Sequence, residues 1–69
     1  MLVKDYNGTL VRTKTKSVFP KGTVSEIVTC RFIEGTSTRA YLIRPIEKIE
    51  GMIDGATDWY LERDLENVE

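Results

Sequence analysis

The sequence contains no histidine, and Cys30 is the one cysteine among its 69 residues. These absences exclude a histidine-based catalytic triad, a disulfide framework and a structural zinc site of the usual ligand types. Cys30 lies in an apolar stretch that offers neither a neighbouring base nor a helix N-terminus to activate it. We therefore interpret it as a buried structural thiol and predict that the protein is not an enzyme.

The sequence also lacks a long hydrophobic run. No 18 consecutive residues are apolar, which excludes a membrane-spanning helix of ordinary length. The opening residues, Met1-Leu2-Val3-Lys4-Asp5, do not show a basic segment followed by an apolar one, so we expect no signal peptide. We predict one domain over residues 1–69, a cytoplasmic location and no membrane partner.

Charge of one sign is not in excess, because ten basic and eleven acidic residues leave a net charge of −1. A general nucleic-acid binder usually carries a strong basic excess. The charge is nevertheless uneven, at +4 over residues 1–31 and −5 over residues 32–69. The carboxylates of the second half do not follow a calcium-loop spacing, and we interpret them as solvated surface. No metal and no cofactor are expected.

The residues that are present favour strands. Valine, isoleucine and threonine together number 20, against two alanines, and branching at Cβ suits a pleated sheet better than a helix. Turn signals recur at short spacing, at Asn7-Gly8, Pro20-Lys21-Gly22, Glu34-Gly35-Thr36-Ser37, Glu50-Gly51 and Asp54-Gly55. Short strands between regular turns indicate an all-β sandwich or barrel.

The strand boundaries follow from these turns. We predict strands over 23–33, with a bulge near Ser25-Glu26, over 39–46 and over 58–61, then a helical turn that places Leu65 against the core, and a brief final strand. At the N-terminus two interpretations stay open. Either residues 2–6 pair with 9–13 around Asn7-Gly8, or residues 1–8 are a lead-in strand and 9–17 form the first core strand.

Residues 47–57 have the least regular pattern of the chain. They are expected to form a loop or twisted ribbon, with a helix as the alternative. The core is expected to contain Val11, Val24, Ile27, Val28, Phe32, Tyr41, Ile43, Leu61, Leu65 and Val68. Leu61→Ala should then cost ~2–5 kcal/mol.

The order of these parts resembles the SH3-like small barrels, which have five strands and a 3-10 turn before the last one. KOW-type domains and the photosystem I E subunit belong to this group. The resemblance covers roughly residues 9–69 and rests on Val11-Arg12, Pro20-Lys21-Gly22-Thr23-Val24, Ile27-Val28, Tyr41-Leu42-Ile43 and the segment from Trp59-Tyr60-Leu61 to Val68. Ser25 stands where a Gly-x-x-Gly turn would have glycine, and the entry motif of peptide-binding SH3 domains is absent. The resemblance therefore implies a five-stranded barrel and no particular binding residues.

Two groups of residues are candidates for a binding surface. Arg12, Lys14 and Lys16 alternate, so on a strand they would share one face, either as protection of a sheet edge or as a stripe that contacts phosphates. Trp59 and Tyr60 are adjacent, so one should enter the core and the other should be exposed, flanked by Arg44 or Arg63. The alternative is that the second ring only shields the end of the barrel. Exposed aromatic and arginine side chains are typical of protein-binding hot spots.

We therefore expect a non-enzymatic module that docks on another protein. In size and pattern the chain also resembles small prophage-type accessory proteins. The alternative is a small barrel that binds nucleic acid through the basic face formed by Arg12, Lys14 and Lys16. A structural or homo-oligomeric role, based on exposed edge strands, stays open as a third class.

Overall fold

Five antiparallel strands form one sheet in residues 8–68, the part of the chain that the computed structural model describes. The strands are β1 (Leu10–Thr13), β2 (Val24–Phe32), β3 (Arg39–Pro45), β4 (Asp58–Leu61) and β5 (Leu65–Asn67). A 3-10 turn over Glu62–Asp64 separates β4 from β5. The all-β prediction and the position of this turn are confirmed. Residues 47–57 form turns and loop, as expected, and not the alternative helix.

The strands are ordered β4-β3-β2-β1-β5, and every neighbouring pair is antiparallel. Within residues 8–68 the two end strands, β4 and β5, do not pair with each other. The sheet is therefore not closed by backbone hydrogen bonds, and the barrel stays a prediction.

The first strand is shorter than predicted and is not at an edge. β1 ends at Thr13 because a side-chain network closes the chain there. The Thr13 hydroxyl donates to the Pro20 carbonyl at 2.9 Å and accepts from the Thr23 N–H at 2.9 Å. Gly22, whose φ of 89° suits glycine, donates its N–H to the Thr13 carbonyl at 2.8 Å. The prediction that 9–17 is one strand is therefore wrong, and so is edge protection, because β1 lies between β2 and β5.

The other interpretation, a hairpin of residues 2–6 with 9–13, is also wrong, because β1 pairs with β2 on one side and with β5 on the other. Except for Gly8, the lead-in strand over residues 1–8 lies outside the described part of the chain. Gly8 and Thr9, directly before β1, already bond to β2. Gly8 donates its N–H to the Ile27 carbonyl at 3.0 Å, and the Ile27 N–H donates to the Thr9 carbonyl at 2.9 Å. The ladder between β1 and β2 thus begins before Leu10.

The bulge in β2 lies later than predicted. The register with β3 shifts between Ile27 and Thr29, so the extra residue is Val28. Before it, Ser25 and Ile27 alternate as buried residues. The apolar pattern suggested an earlier bulge because one of the buried positions is occupied by the polar residue Ser25. After it, Thr29 pairs with Leu42, and the following side chains of β2 keep register with β3.

The core contains Val11, Phe19, Ile27, Tyr41, Ile43, Tyr60 and Leu65. Five of these were predicted. Phe19 was not, and it lies in the loop between β1 and β2 with its ring stacked on that of Tyr60 at 6.0 Å between centroids. The Phe19 N–H also donates to the Tyr60 hydroxyl at 3.2 Å. This pair connects the loop to β4, an end strand of the sheet.

Four predicted core residues, Val24, Val28, Leu61 and Val68, are half-buried. Truncating Leu61 therefore removes less buried surface than the sequence suggested. The prediction for Phe32 is wrong, because its side chain is 58% exposed. It lies at the last position of β2, beyond the end of the core, and faces solvent next to the turn that leads into β3.

Candidate functional site

Trp59 and Tyr60 point to opposite sides of β4, as predicted. Tyr60 is 4% exposed and belongs to the core, whereas Trp59 is 38% exposed. Tyr60 pairs with Tyr41 and Trp59 with Leu42, so Trp59 stands on the outer face of the sheet. Of the two aromatic candidates for a binding surface, Trp59 is therefore the exposed ring and Tyr60 is the ring that enters the core.

The guanidinium of Arg31 lies over the Trp59 ring, with its Cζ 4.4 Å from the ring centroid. The register explains this contact. Arg31 pairs with Ala40 across β2 and β3, and Ala40 in turn pairs with Leu61 on β4. Trp59 lies two residues before Leu61 and therefore on the same face, so the arginine side chain reaches diagonally over the small Ala40 to the tryptophan. Such a cation–π contact is worth roughly 0.5–1 kcal/mol at an exposed site, which favours this arrangement of the two groups.

These two side chains form one wall of a groove of about 570 Å³, which we call the Trp59 groove. Phe32 and Ile33 contribute exposed apolar surface to it, at 58% and 38% exposure. Its lining consists of Arg31, Phe32, Ile33, Glu34, Ala40, Trp59, Tyr60 and Leu61. Clustered apolar surface of this kind, rimmed by polar groups, is typical of an interaction site.

The turn after β2 holds the far wall of the groove in place. The Ile33 N–H donates to the Thr38 carbonyl at 2.8 Å, and the Thr36 N–H donates to the Ile33 carbonyl at 3.0 Å. The Thr36 hydroxyl donates to the same carbonyl at 2.9 Å. On the neighbouring strand, the Arg39 guanidinium lies 5.3 Å from the centroid of the Phe32 ring. The Trp59 groove is thus formed by residues with defined backbone and ring contacts.

The charges along the outer face differ in how they are compensated. Arg44 pairs with Glu26, and its Nε donates to Glu26 Oε1 at 3.0 Å. Within residues 8–68, Arg31 makes no ion pair with a carboxylate. Glu34 lines the Trp59 groove but is not bonded to Arg31. The groove therefore contains one guanidinium whose charge no described side chain neutralises.

The three basic candidates are not brought together as one face. Arg12 is on β1 and forms a 3.6 Å ion pair with Glu66 of β5. Lys14 and Lys16 lie beyond the end of β1, exposed in the loop. The predicted basic strand face is therefore corrected, because the strand that would have aligned the three side chains ends at Thr13. Arg63 is exposed on the 3-10 turn and is not part of the groove lining.

Burial raises the pKa of the Tyr41 phenol, which lies on the inner face of the sheet. A hydrogen bond with Arg39 acts in the opposite direction, and the nearby Glu62 charge adds to the rise. Tyr41 is completely buried, so it is not a candidate for proton transfer to a bound molecule.

A second apolar surface lies at the loop between β3 and β4. A groove of about 420 Å³ there has Val24, Ile46 and Ile49 among its lining residues. Ile46 is 55% exposed, and Ile53 in the same loop is 81% exposed. No aromatic side chain lines this groove, so it lacks the residue types that dominate binding energy in protein interfaces.

Other kinds of site are not seen in the described residues. Over residues 8–68, no three histidine, cysteine, aspartate or glutamate side chains lie close enough together to hold a metal ion. The same residues contain no helix long and apolar enough to cross a lipid bilayer. Comparison with known protein families, curated proteins and solved structures gives no match.

Sequence reasoning found Trp59 but missed the residues that surround it. Arg31 had no sequence signal, because its contact with Trp59 depends on two strand registers. A signal for Phe32 and Ile33 was present. Both directly precede the Glu34-Gly35 turn, and apolar residues at the tip of a hairpin extend past the core.

Proposed function

We propose that this chain is a non-enzymatic protein-binding module that docks its partner in the Trp59 groove. The observation that supports this most is an exposed tryptophan, ordered beneath an arginine and next to exposed Phe32 and Ile33. Tryptophan and arginine are enriched among residues that dominate binding energy. The cytoplasmic location stays a prediction from the sequence.

The position of the groove on the sheet supports the same proposal. Trp59 on β4 and Arg31 on β2 both lie on strands that pair with β3, and Phe32 ends the longest strand of the sheet. A partner that binds here does not have to order a mobile loop. Interfaces lose affinity when side chains and loops must be immobilised on binding, and that cost is small for a preformed groove.

Nucleic-acid binding through Arg12, Lys14 and Lys16 is the less favoured proposal. Phosphate contacts need cationic groups along one path, but Arg12 already pairs with Glu66 and the two lysines leave the sheet. The acidic excess of residues 32–69 would also repel a polyanion. Both proposals can be tested in one capture experiment.

The experiment uses the full chain, tagged and immobilised, to capture partners from an extract of the cells that produce it, with and without nuclease. The variants are Trp59→Ser, Phe32→Ser and the triple change Arg12→Ser, Lys14→Ser and Lys16→Ser. Circular dichroism melts verify that each is folded. We expect a protein partner that resists nuclease, is lost with Trp59→Ser and Phe32→Ser, and is retained by the triple variant. Capture that disappears with nuclease or with the triple variant alone would contradict the proposal.

A further inference from the structure

We infer that the partner segment that fills the Trp59 groove carries a carboxylate next to its apolar anchor residue. This inference rests on the proposed function, and it concerns the role of Arg31. The contact between the Arg31 guanidinium and the Trp59 ring uses the π-face of the ring. A guanidinium has five N–H donors in its plane, and a contact with an aromatic face consumes none of them.

Docking changes the environment of this charge. In the unbound protein Arg31 is exposed, and water hydrates the guanidinium. A partner that covers Trp59 also covers Arg31, because the two groups are 4.4 Å apart. A cation that is taken out of water without a counter-charge costs binding free energy. No carboxylate within residues 8–68 pairs with Arg31, so a carboxylate of the bound segment would supply the counter-charge.

A carboxylate suits the remaining donors best. Arginine pairs with carboxylates through two parallel N–H···O bonds, and such charge-assisted bonds are about twice as strong as neutral ones. The apolar residues Phe32 and Ile33 lie in the same groove, so the anchor of the partner and its acid should be near neighbours in the segment.

The other charges of the groove limit which anion can bind. Glu34 also lines the Trp59 groove, so its carboxylate repels additional negative charge there. One uncompensated guanidinium beside one carboxylate favours a single, localised negative charge over a polyanion. A nucleic-acid strand would bring several phosphates, and one face of the Trp59 ring is already covered by Arg31.

A displayed library of random peptides, selected on the immobilised full chain, tests the inference. The most enriched peptide is synthesised with a fluorescent label, and a matched version replaces its acidic residue with the corresponding amide. Binding is measured by fluorescence anisotropy. We expect enriched peptides to contain aspartate or glutamate within a few positions of a large apolar residue. The amide version should bind roughly tenfold more weakly, the ratio that corresponds to about 1.4 kcal/mol.

Variants of the protein then test whether the acidic residue of the peptide pairs with Arg31. Arg31→Gln should weaken the acidic peptide by roughly the same factor, and in that variant the amide version should bind as well as the acidic one. Glu34→Gln should strengthen binding of the acidic peptide. Arg44→Gln is the matched control, because that arginine lies on the same face but already pairs with Glu26, and it should leave the affinity unchanged.

The outcomes separate the inference from the proposed function. Peptides that need Trp59, show no acidic preference and bind equally well to Arg31→Gln would overturn the inference while supporting the proposed function. A library that yields no peptide, or only peptides whose binding survives Trp59→Ser, would overturn both. A thymidine oligonucleotide that binds in a Trp59-dependent manner would also overturn the inference.

Discussion

Two small hydroxyl side chains, Thr13 and Ser25, are buried in the sheet at 1% and 0% exposure. The Thr13 hydroxyl has a donor and an acceptor, because it bonds to the Thr23 N–H and the Pro20 carbonyl. The Ser25 Oγ makes no hydrogen bond within residues 8–68. A buried polar group without a partner costs free energy, whereas one that satisfies two backbone groups stabilises the fold.

Thr13→Val and Ser25→Ala should therefore act in opposite ways. Thr13→Val keeps the shape but removes both of these hydrogen bonds, and it leaves the Thr23 N–H only its longer, 3.3 Å bond to the Pro20 carbonyl. We expect a loss of ~1–3 kcal/mol in the free energy of unfolding, since each lost bond costs ~0.5–1.5 kcal/mol. Ser25→Ala should be neutral or slightly stabilising. Urea denaturation of both variants measures the difference. A Ser25→Ala variant as unstable as Thr13→Val would show that the serine hydroxyl is satisfied in the folded protein.

Tyr41 gives stability a dependence on alkaline pH. Burial raises its pKa in the folded state above the ordinary value, which is about 10 in an unfolded chain. Above that pH the unfolded chain loses the phenolic proton first, so the unfolded state is favoured. We expect the contribution of Tyr41 to be fully present below about pH 10 and lost as the pH rises through the raised folded value. Melting temperatures from pH 8 to 11 measure it, with Tyr41→Phe as the variant in which this component of the decline should disappear.

Among the elements, β3 and β4 could be predicted almost to the residue, and the loop after β1 could not. Pro45 ends β3 because it lacks an N–H, and that property is local to the sequence. The burial of Phe19 depends on Tyr60, which lies 41 positions further along the chain. A loop pattern contains no information about such a distant contact. The same reason applies to Arg31 in the Trp59 groove, whose position is determined by two registers and not by its neighbours in sequence.

Phe19→Ala tests whether the loop between β1 and β2 is an integral part of the core. The ring is fully buried and stacked on Tyr60, so its removal leaves a cavity next to the Tyr60 ring. We expect a loss of ~3–5 kcal/mol, enough to unfold a domain of this size at moderate temperature. Val18→Ala is the matched control, because Val18 is adjacent in the same loop but 54% exposed. Similar melting temperatures for the two variants would indicate that the loop is not packed on the sheet.

A separate prediction concerns DNA binding by the basic residues of β1 and the loop that follows it. If Arg12, Lys14 and Lys16 contacted phosphates together, retention on single-stranded DNA would fall with salt with a log–log slope of roughly −2 to −3. Since the strand that would align them ends at Thr13, we expect no retention of the parent protein at low salt and no change in the triple serine variant. Salt-sensitive retention that the triple variant loses would restore the nucleic-acid alternative.

For the whole molecule, the fold separates two functions of its aromatic residues. The buried rings connect the sheet to the first loop; they are those of Tyr41, Tyr60 and Phe19. Two others remain exposed: Trp59 on the outer face of β4 and Phe32 at the end of β2. Sequence alternation predicted that one of Trp59 and Tyr60 would be exposed, but only the packed structure shows which. The all-β class and the 3-10 turn were predictable because they depend on local turn and strand signals.

The most direct measurement is an amide and indole NMR spectrum of the isotope-labelled full chain, titrated with the partner that the capture experiment identifies. Trp59 is the one tryptophan, so its indole N–H gives a single signal that reports on the groove. We expect the largest shifts at that indole and at the amides of Phe32 and Ile33, with Lys14, Lys16 and Ile53 unaffected. Shifts confined to the basic loop or to Ile53, with the Trp59 indole unchanged, would contradict docking in the Trp59 groove.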